Sequence, residues 1–169
     1  MARVFLGLGA NLGDTKGSLG RALQRLGADL RITAVSSLYD TAPVGYADQP
    51  RFVNLVCAAE TSLEPWALLR FVKSVEHNLG RTPSTRYGPR AIDIDILLYD
   101  DVVVTLPELT IPHARLHERA FVLAPLAELA PQLVVPGFGR TVIDLWRALP
   151  EQDVRRLEGV ERRIPLCIN

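Results

Sequence analysis

Residues 86–101, RYGPRAIDIDILLYDD, are the stretch on which the fold turns. From Ile92 to Tyr99 isoleucine and leucine dominate, a composition suited to a buried strand. Asp93 and Asp95 interrupt it, although aspartate is among the residues most depleted from strands. Alternation puts both carboxylates on one face and Ile92, Ile94 and Ile96 on the other. Their Cα atoms then lie roughly 6.6 Å apart, at about 3.3 Å per residue. Like charges that close repel unless something positive lies between them. Two readings are open. The face could be solvated, with scattered arginine partners. Alternatively the pair is a hard-cation site, since Mg²⁺ is commonly held by one or two carboxylates together with substrate phosphates. Arg81, Arg86 and Arg90, just upstream, carry the charge to hold such phosphates.

Working outward, RVFLGLGAN (3–11) reads as a first strand running into a Gly-rich turn. Residues 15–29 place Leu19, Ala22, Leu23 and Leu26 at helical spacing. A second strand is expected over 31–41, with Ile32 and Ala34 alternating against Thr33 and Val35, and a third over 51–63. Residues 64–80 read as a helix with Pro65 early, where proline is tolerated, and Gly80 as its stop. The Ile92–Tyr99 strand follows. Residues 117–131 have helical spacing interrupted by Pro125, and 141–149 suit a last helix. The order β-α-β-β-α-β predicts an α+β, ferredoxin-like antiparallel sheet with two helices on one face and helical additions after it. The other face is left for ligands and loops. This plan hosts many functions, so chemistry has to come from the site.

The chain has 169 residues, 48% of them hydrophobic, enough for one compact domain over 1–169. Nineteen basic residues balance nineteen acidic ones, which argues against a binder dominated by nucleic-acid phosphates. Lys16 and Lys73 are the only lysines. Cys57 and Cys167 form no disulfide framework or metal-ligand spacing, and Cys57 falls in an apolar strand pattern. The apolar run Val4–Ala10 is too short for a membrane span or a signal peptide. A soluble cytoplasmic protein without membrane partner is expected.

GLGANLGDTK (7–16) invites a nucleotide-loop reading and fails it. The third glycine comes one place late for the dinucleotide pattern, and Gly13 is followed by Asp14 rather than lysine. A tight strand-to-helix turn using glycine's freedom in φ is the simpler account. In the third strand Phe52, Asn54, Val56 and Ala58 share a face. An amide in that row is costly unless bonded. It either meets a loop backbone or reads the edge of a heterocycle, with Phe52 or Phe121 against the flat ring. His113, near Arg115 and Arg119, is a candidate donor to a triphosphate. Together these residues suit phosphoryl transfer to a small heterocyclic alcohol.

The segments GANLGD (9–14), TAPVG (41–45), FVN (52–54), RYGPRAIDIDIL (86–97) and IPHARLHERAFVLAPLAELAP (111–131) resemble the 6-hydroxymethyl-7,8-dihydropterin pyrophosphokinase family of folate synthesis. They stand in the family's order and cover about residues 3–135. The resemblance implies an ATP-dependent diphosphotransferase, with ATP and 6-hydroxymethyl-7,8-dihydropterin as substrates. It implies two Mg²⁺ ions held by Asp93 and Asp95. Asn54 would read the pterin's polar edge, with Thr41, Pro43 and Val44 giving backbone contacts. Phe121 would stack on the pterin, opposite Phe52 or Tyr87. Arg81, Arg90, His113 and Arg119 match phosphate clamps, and Lys73, Glu76, Ile96 and Thr110 match nucleotide contacts. The hydroxymethyl oxygen would attack the β-phosphorus and AMP would leave, with Asp95 the candidate if a base acts. The loops at 43–50 and 81–90 would close over the site. Tyr87 and Phe52 stand where the family commonly has tryptophan and tyrosine. A monomer is expected, and residues 150–169 lie beyond the shared region. A non-catalytic regulatory domain and an RNA-recognition module are rivals on the same plan. The acidic pair counts against both.

Overall fold

The computed structural model describes residues 1–45, 48–80 and 91–157. A first strand, β1 (Ala2–Ala10), leads to helix α1 (Thr15–Leu26), and β2 (Arg31–Val35) and β3 (Tyr39–Thr41) follow. Next come β4 (Phe52–Thr61), helix α2 (Pro65–Asn78) and β5 (Asp93–Tyr99). The sheet order is β10-β3-β4-β1-β5, where β10 is Val154–Arg156, and β2 also pairs with β4. Every pairing is antiparallel. With β2 and β3 counted as one interrupted strand, this is the expected βαββαβ arrangement.

α1 and α2 cover one face. Leu19, Leu23 and Leu26 of α1 and Leu68, Val72 and Val75 of α2 pack on Leu6, Leu8, Leu55, Cys57, Ile94 and Ile96. α1 opens with the Asp14 carboxylate accepting from Gly17 N–H at 3.1 Å, and it ends at Leu26, short of the expected 29. Gly13, at φ 61°, makes the turn before it.

The other face is not left bare. Helices α3 (Ala120–Leu129) and α4 (Val142–Ala148) cover half of it, through Val122, Leu123, Leu126, Val142 and Leu145 against Phe5, Val56, Ala58 and Leu98. The expected helix over 117–131 is split, and the break falls at Arg119 rather than Pro125: a 3₁₀ turn spans Leu116–Glu118, and Pro125 sits buried inside α3. A single proline removes one helical bond there, and packing on the sheet holds the rest. Short strands β6 (Val104–Thr105) and β7 (Thr110–Ile111) pair with each other, as do β8 (Val134–Val135) and β9 (Arg140–Thr141). Among the described residues no helix is long and apolar enough to cross a membrane.

Two irregularities position the site. In β5, Leu98 pairs with Phe5 while Ile96 pairs with Leu6, so Leu97 is an extra residue. Such a bulge re-aims the side chains beside it. The expected single strand over 31–41 is broken at Ser36–Leu38, and a bulge within β2 turns Val35 inward beside Ile32. Ser36 Oγ accepts from Val56 N–H at 2.9 Å, replacing the carbonyl that an unbroken ladder would supply. Glu128 of α3 fastens the break, accepting from Ser37 N–H at 2.9 Å, Ser37 Oγ at 2.7 Å and Tyr39 Oη at 2.8 Å. Glu128→Ala is expected to cost about 1–3 kcal/mol, seen as a lower urea midpoint. An unchanged midpoint would show that the break holds without it.

Candidate active site

The half of the second face that α3 leaves open is a pocket of about 300 Å³. Its floor is the sheet itself. Gly7 and Gly9 of β1 lie opposite Asp95 and Asp93 of β5, and opposite Val56 and Asn54 of β4. Glycine inside a strand often marks a close approach, and here Gly9 needs the space, whereas at Gly7 a side chain would make an ordinary contact. A Cβ on Gly9 would stand 2.4 Å from Asn54 Oδ1, and one on Gly7 would stand 3.4 Å from the Leu97 methyls. Of the segment 7–16 read as a strand-to-helix turn, residues 7–10 are strand, as the first-strand reading over 3–11 expects. Gly9 is used there for absence of bulk, and Gly13 beyond it for a positive φ.

Asn54 is 7% exposed, and its Nδ2 donates to Thr41 Oγ1 at 2.7 Å. That bond fixes the carboxamide, leaving Oδ1 above Gly9. Phe52 and Phe121 line the same pocket. The Arg119 guanidinium lies 5.3 Å from the Phe121 ring centroid, which brings a fixed cation to an aromatic wall.

Asp93 and Asp95 enter the pocket from β5. The Asp95 carboxyl is pushed up to about 7, by burial first and by Asp93 second, against the opposing pull of Arg119 and Lys73. A carboxylate held in that state gains from a cation. His113 is pushed down to about 4, mainly by burial and then by Arg119, and is neutral near pH 7. Its Nδ1 accepts from Arg115 N–H at 3.2 Å, which assigns the proton to Nε2, 3.9 Å from Asp95 Oδ2. Among the described residues no three His, Cys, Asp or Glu side chains gather as a metal site. Two carboxylates alone still fit Mg²⁺, which commonly completes its shell with water and substrate phosphate.

Residues 5–131 match the family described as 7,8-dihydro-6-hydroxymethylpterin-pyrophosphokinase (HPPK). This chain belongs to that family. The 2-amino-4-hydroxy-6-hydroxymethyldihydropteridine pyrophosphokinase of Pseudomonas aeruginosa is 44% identical over 93% of this chain and 98% of its own. The protein of the same name from Methylorubrum extorquens is 43% identical over 94% of this chain and 100% of its own. A crystal structure of Plasmodium falciparum HPPK-DHPS with pterin and p-hydrobenzoate shares the fold, with TM-score 0.70 at 18% identity over 86% of this chain. This chain spans 44% of that longer one.

As a pyrophosphokinase family member, the chain gathers most of the expected residues in one place. Thr41, Val44, Phe52, Asn54, Lys73, Asp93, Asp95, His113, Arg119 and Phe121 all line the pocket. Pro43 does not, and its neighbour Ala42 does. Glu76 is not in the lining either. It is 1% exposed and accepts from Ile94 N–H at 2.7 Å, between the two aspartates, so it braces the strand that carries them. Ile96 points into the helix-side core, as alternation requires once Asp95 faces the pocket. Thr110 lies on β7 and donates to the Leu106 carbonyl at 3.2 Å. Arg81, Tyr87 and Arg90 lie outside the described residues. Gly7, Gly9, Ala42 and Leu97 line the pocket without having been singled out. For the first pair the signal in the sequence was glycine at alternate places in an apolar strand; what faces them comes only from the pairing.

Proposed function

We propose that this chain transfers the pyrophosphoryl group of ATP to the hydroxymethyl group of 6-hydroxymethyl-7,8-dihydropterin, giving AMP and the pterin diphosphate for folate synthesis. One observation carries the reading beyond family membership. A fixed carboxamide, two aromatic rings and two carboxylates line a single pocket with a glycine floor. The carboxamide can read the donor and acceptor edge of a pterin, and the glycines let the flat ring lie against the sheet. Phe121 closes on the ring from α3, which excludes water from the reacting end.

Asp93 and Asp95 would hold two Mg²⁺ ions, whose charge, when bound, would draw the ATP phosphates together and neutralise them. The chain's own part is positioning. Arg119 presents its guanidinium beside Phe121, where a phosphate next to the stacked pterin would be met. Lys73 adds a second cation, and neutral His113 donates from Nε2. With the hydroxyl held in line with the β-phosphorus, AMP is the leaving group and no strong base is needed.

The test is the nucleotide product. With ATP, Mg²⁺ and the reduced pterin, AMP is expected in step with a diphosphorylated pterin, and neither product without Mg²⁺. ADP as the main product would mean transfer of one phosphate and would overturn the pyrophosphokinase reading.

A further inference from the structure

Helix α3 presents Arg119 and Phe121, yet it has no side-chain cap of its own. Arg119 holds the cap position in extended conformation, at φ −113° and ψ 107°. The first N–H groups of a helix lack intrahelical acceptors. Here the Ala120 N–H donates to Gln152 Oε1 at 3.0 Å, and Gln152 Nε2 donates to the Glu118 carbonyl at 3.0 Å. One carboxamide thus grips the backbone on both sides of Arg119, as a neighbouring strand would.

The next residue grips a second segment of the pocket lining. Ala42 N–H donates to the Asp153 carbonyl at 3.1 Å. The Asp153 carboxylate takes Arg51 Nη1 at 2.6 Å and Nη2 at 3.0 Å, while Arg51 Nε reaches Asp40 at 2.8 Å. β10 then continues along β3, with Val154 opposite Thr41. Ala42 and Thr41 of one segment and Arg119 and Phe121 of the other all line the pocket.

We propose that Gln152 is a positioning residue for the transfer reaction, and that with Asp153 it forms a strap tying these two segments of the pocket lining together. The proposal rests on the reaction proposed above. The direction of the Arg119 side chain follows from the backbone angles at Arg119, and the Gln152 carboxamide holds the peptides on either side of that residue. The Arg119 carbonyl also accepts from Val122 N–H at 3.1 Å and Leu123 N–H at 3.0 Å. Without Gln152 the cap therefore keeps its helix-side bonds but loses the hold on its two flanking peptides, which loosens the backbone that aims the guanidinium.

The test compares Gln152→Ala, Gln152→Glu and the exposed neighbour Glu151→Ala with the parent, well below all melting temperatures. Gln152→Ala should lower kcat/KM for the pterin about tenfold or more, the scale on which misplacement near a reacting group is felt. Gln152→Glu keeps the acceptor for Ala120 and loses the donor to Glu118, so a smaller loss is expected. It also keeps the test available should the alanine variant not fold. Amide exchange at Ala120 should quicken in Gln152→Ala and stay slow in Gln152→Glu, and Glu151→Ala should match the parent. An active parent beside an unimpaired Gln152→Ala overturns the positioning role alone. A parent that forms no AMP overturns the reaction, and this role with it.

Discussion

Asparagine in place of Asp95 is expected to lower kcat by roughly 10²–10³-fold, the scale on which loss of one charge-stabilising group in a preorganised site is felt. Asp93→Asn should do the same. The amide nearly preserves shape but removes the anionic oxygen that a hard cation requires. Stability of the metal-free protein should move the other way. The Asp95 carboxyl is pushed up to about 7, chiefly by burial and then by Asp93, whereas in an unfolded chain it titrates near 4. The folded state therefore binds that proton more tightly. The stability linked to it is fully present below about pH 4 and is lost as pH rises through about 7. Metal-free Asp95→Asn should melt above the parent at pH 8, with the gap closing towards pH 4. Calorimetry at both pH values and AMP formation at saturating Mg²⁺ give the two readouts. Near-parental turnover would show that the carboxylates do not hold the ion.

Asn54→Ala should weaken pterin binding by roughly 10–100-fold, since losing a buried hydrogen-bond partner costs about 1–3 kcal/mol. ATP binding should change far less. Gly9→Ala reaches the same end by the opposite route. Its added Cβ would stand 2.4 Å from Asn54 Oδ1, so the carboxamide must turn and give up the 2.7 Å bond to Thr41 Oγ1. Calorimetric titration of each ligand separates the two effects. Equal losses for pterin and ATP would mean that Asn54 only supports its strand.

Much of this site was legible because alternation in a strand is local. Asp93, Asp95, Asn54 and Phe52 fall on the pocket face by period two alone. Pairing is not local, and what depended on it was missed. Gly7 and Gly9 fall in both the strand reading of 3–11 and the turn reading of 7–16, because glycine signals both freedom in φ and absence of bulk. Which one applies depends on the residues opposite, here Asn54, Asp93 and Asp95. The break between β2 and β3 rests on a serine hydroxyl within the sheet and on Glu128, 91 residues beyond Ser37. No window along the chain contains both. Glu76 carries the same lesson: the resemblance matched it to a nucleotide contact, and its bond from the Ile94 N–H is visible only once β5 lies beside α2.

The place of β1 in the sheet has a consequence for how the protein is made. This strand leaves the ribosome before the other strands of its sheet, yet it ends inside that sheet, between β4 and β5. Both of its edges stay unpaired until two later segments have been synthesised and returned to it, and such non-local pairing is intrinsically slow. Until then the nascent chain carries an apolar strand with open edges, the kind of surface that other chains and chaperones engage. Chemistry is thus a late property of the polypeptide. Asn54 and the glycines meet before the aspartates arrive, Phe121 follows them, and Gln152 comes after all of these. A chain halted before Asp93 would be an unfinished sheet exposed to aggregation, not a weakened enzyme.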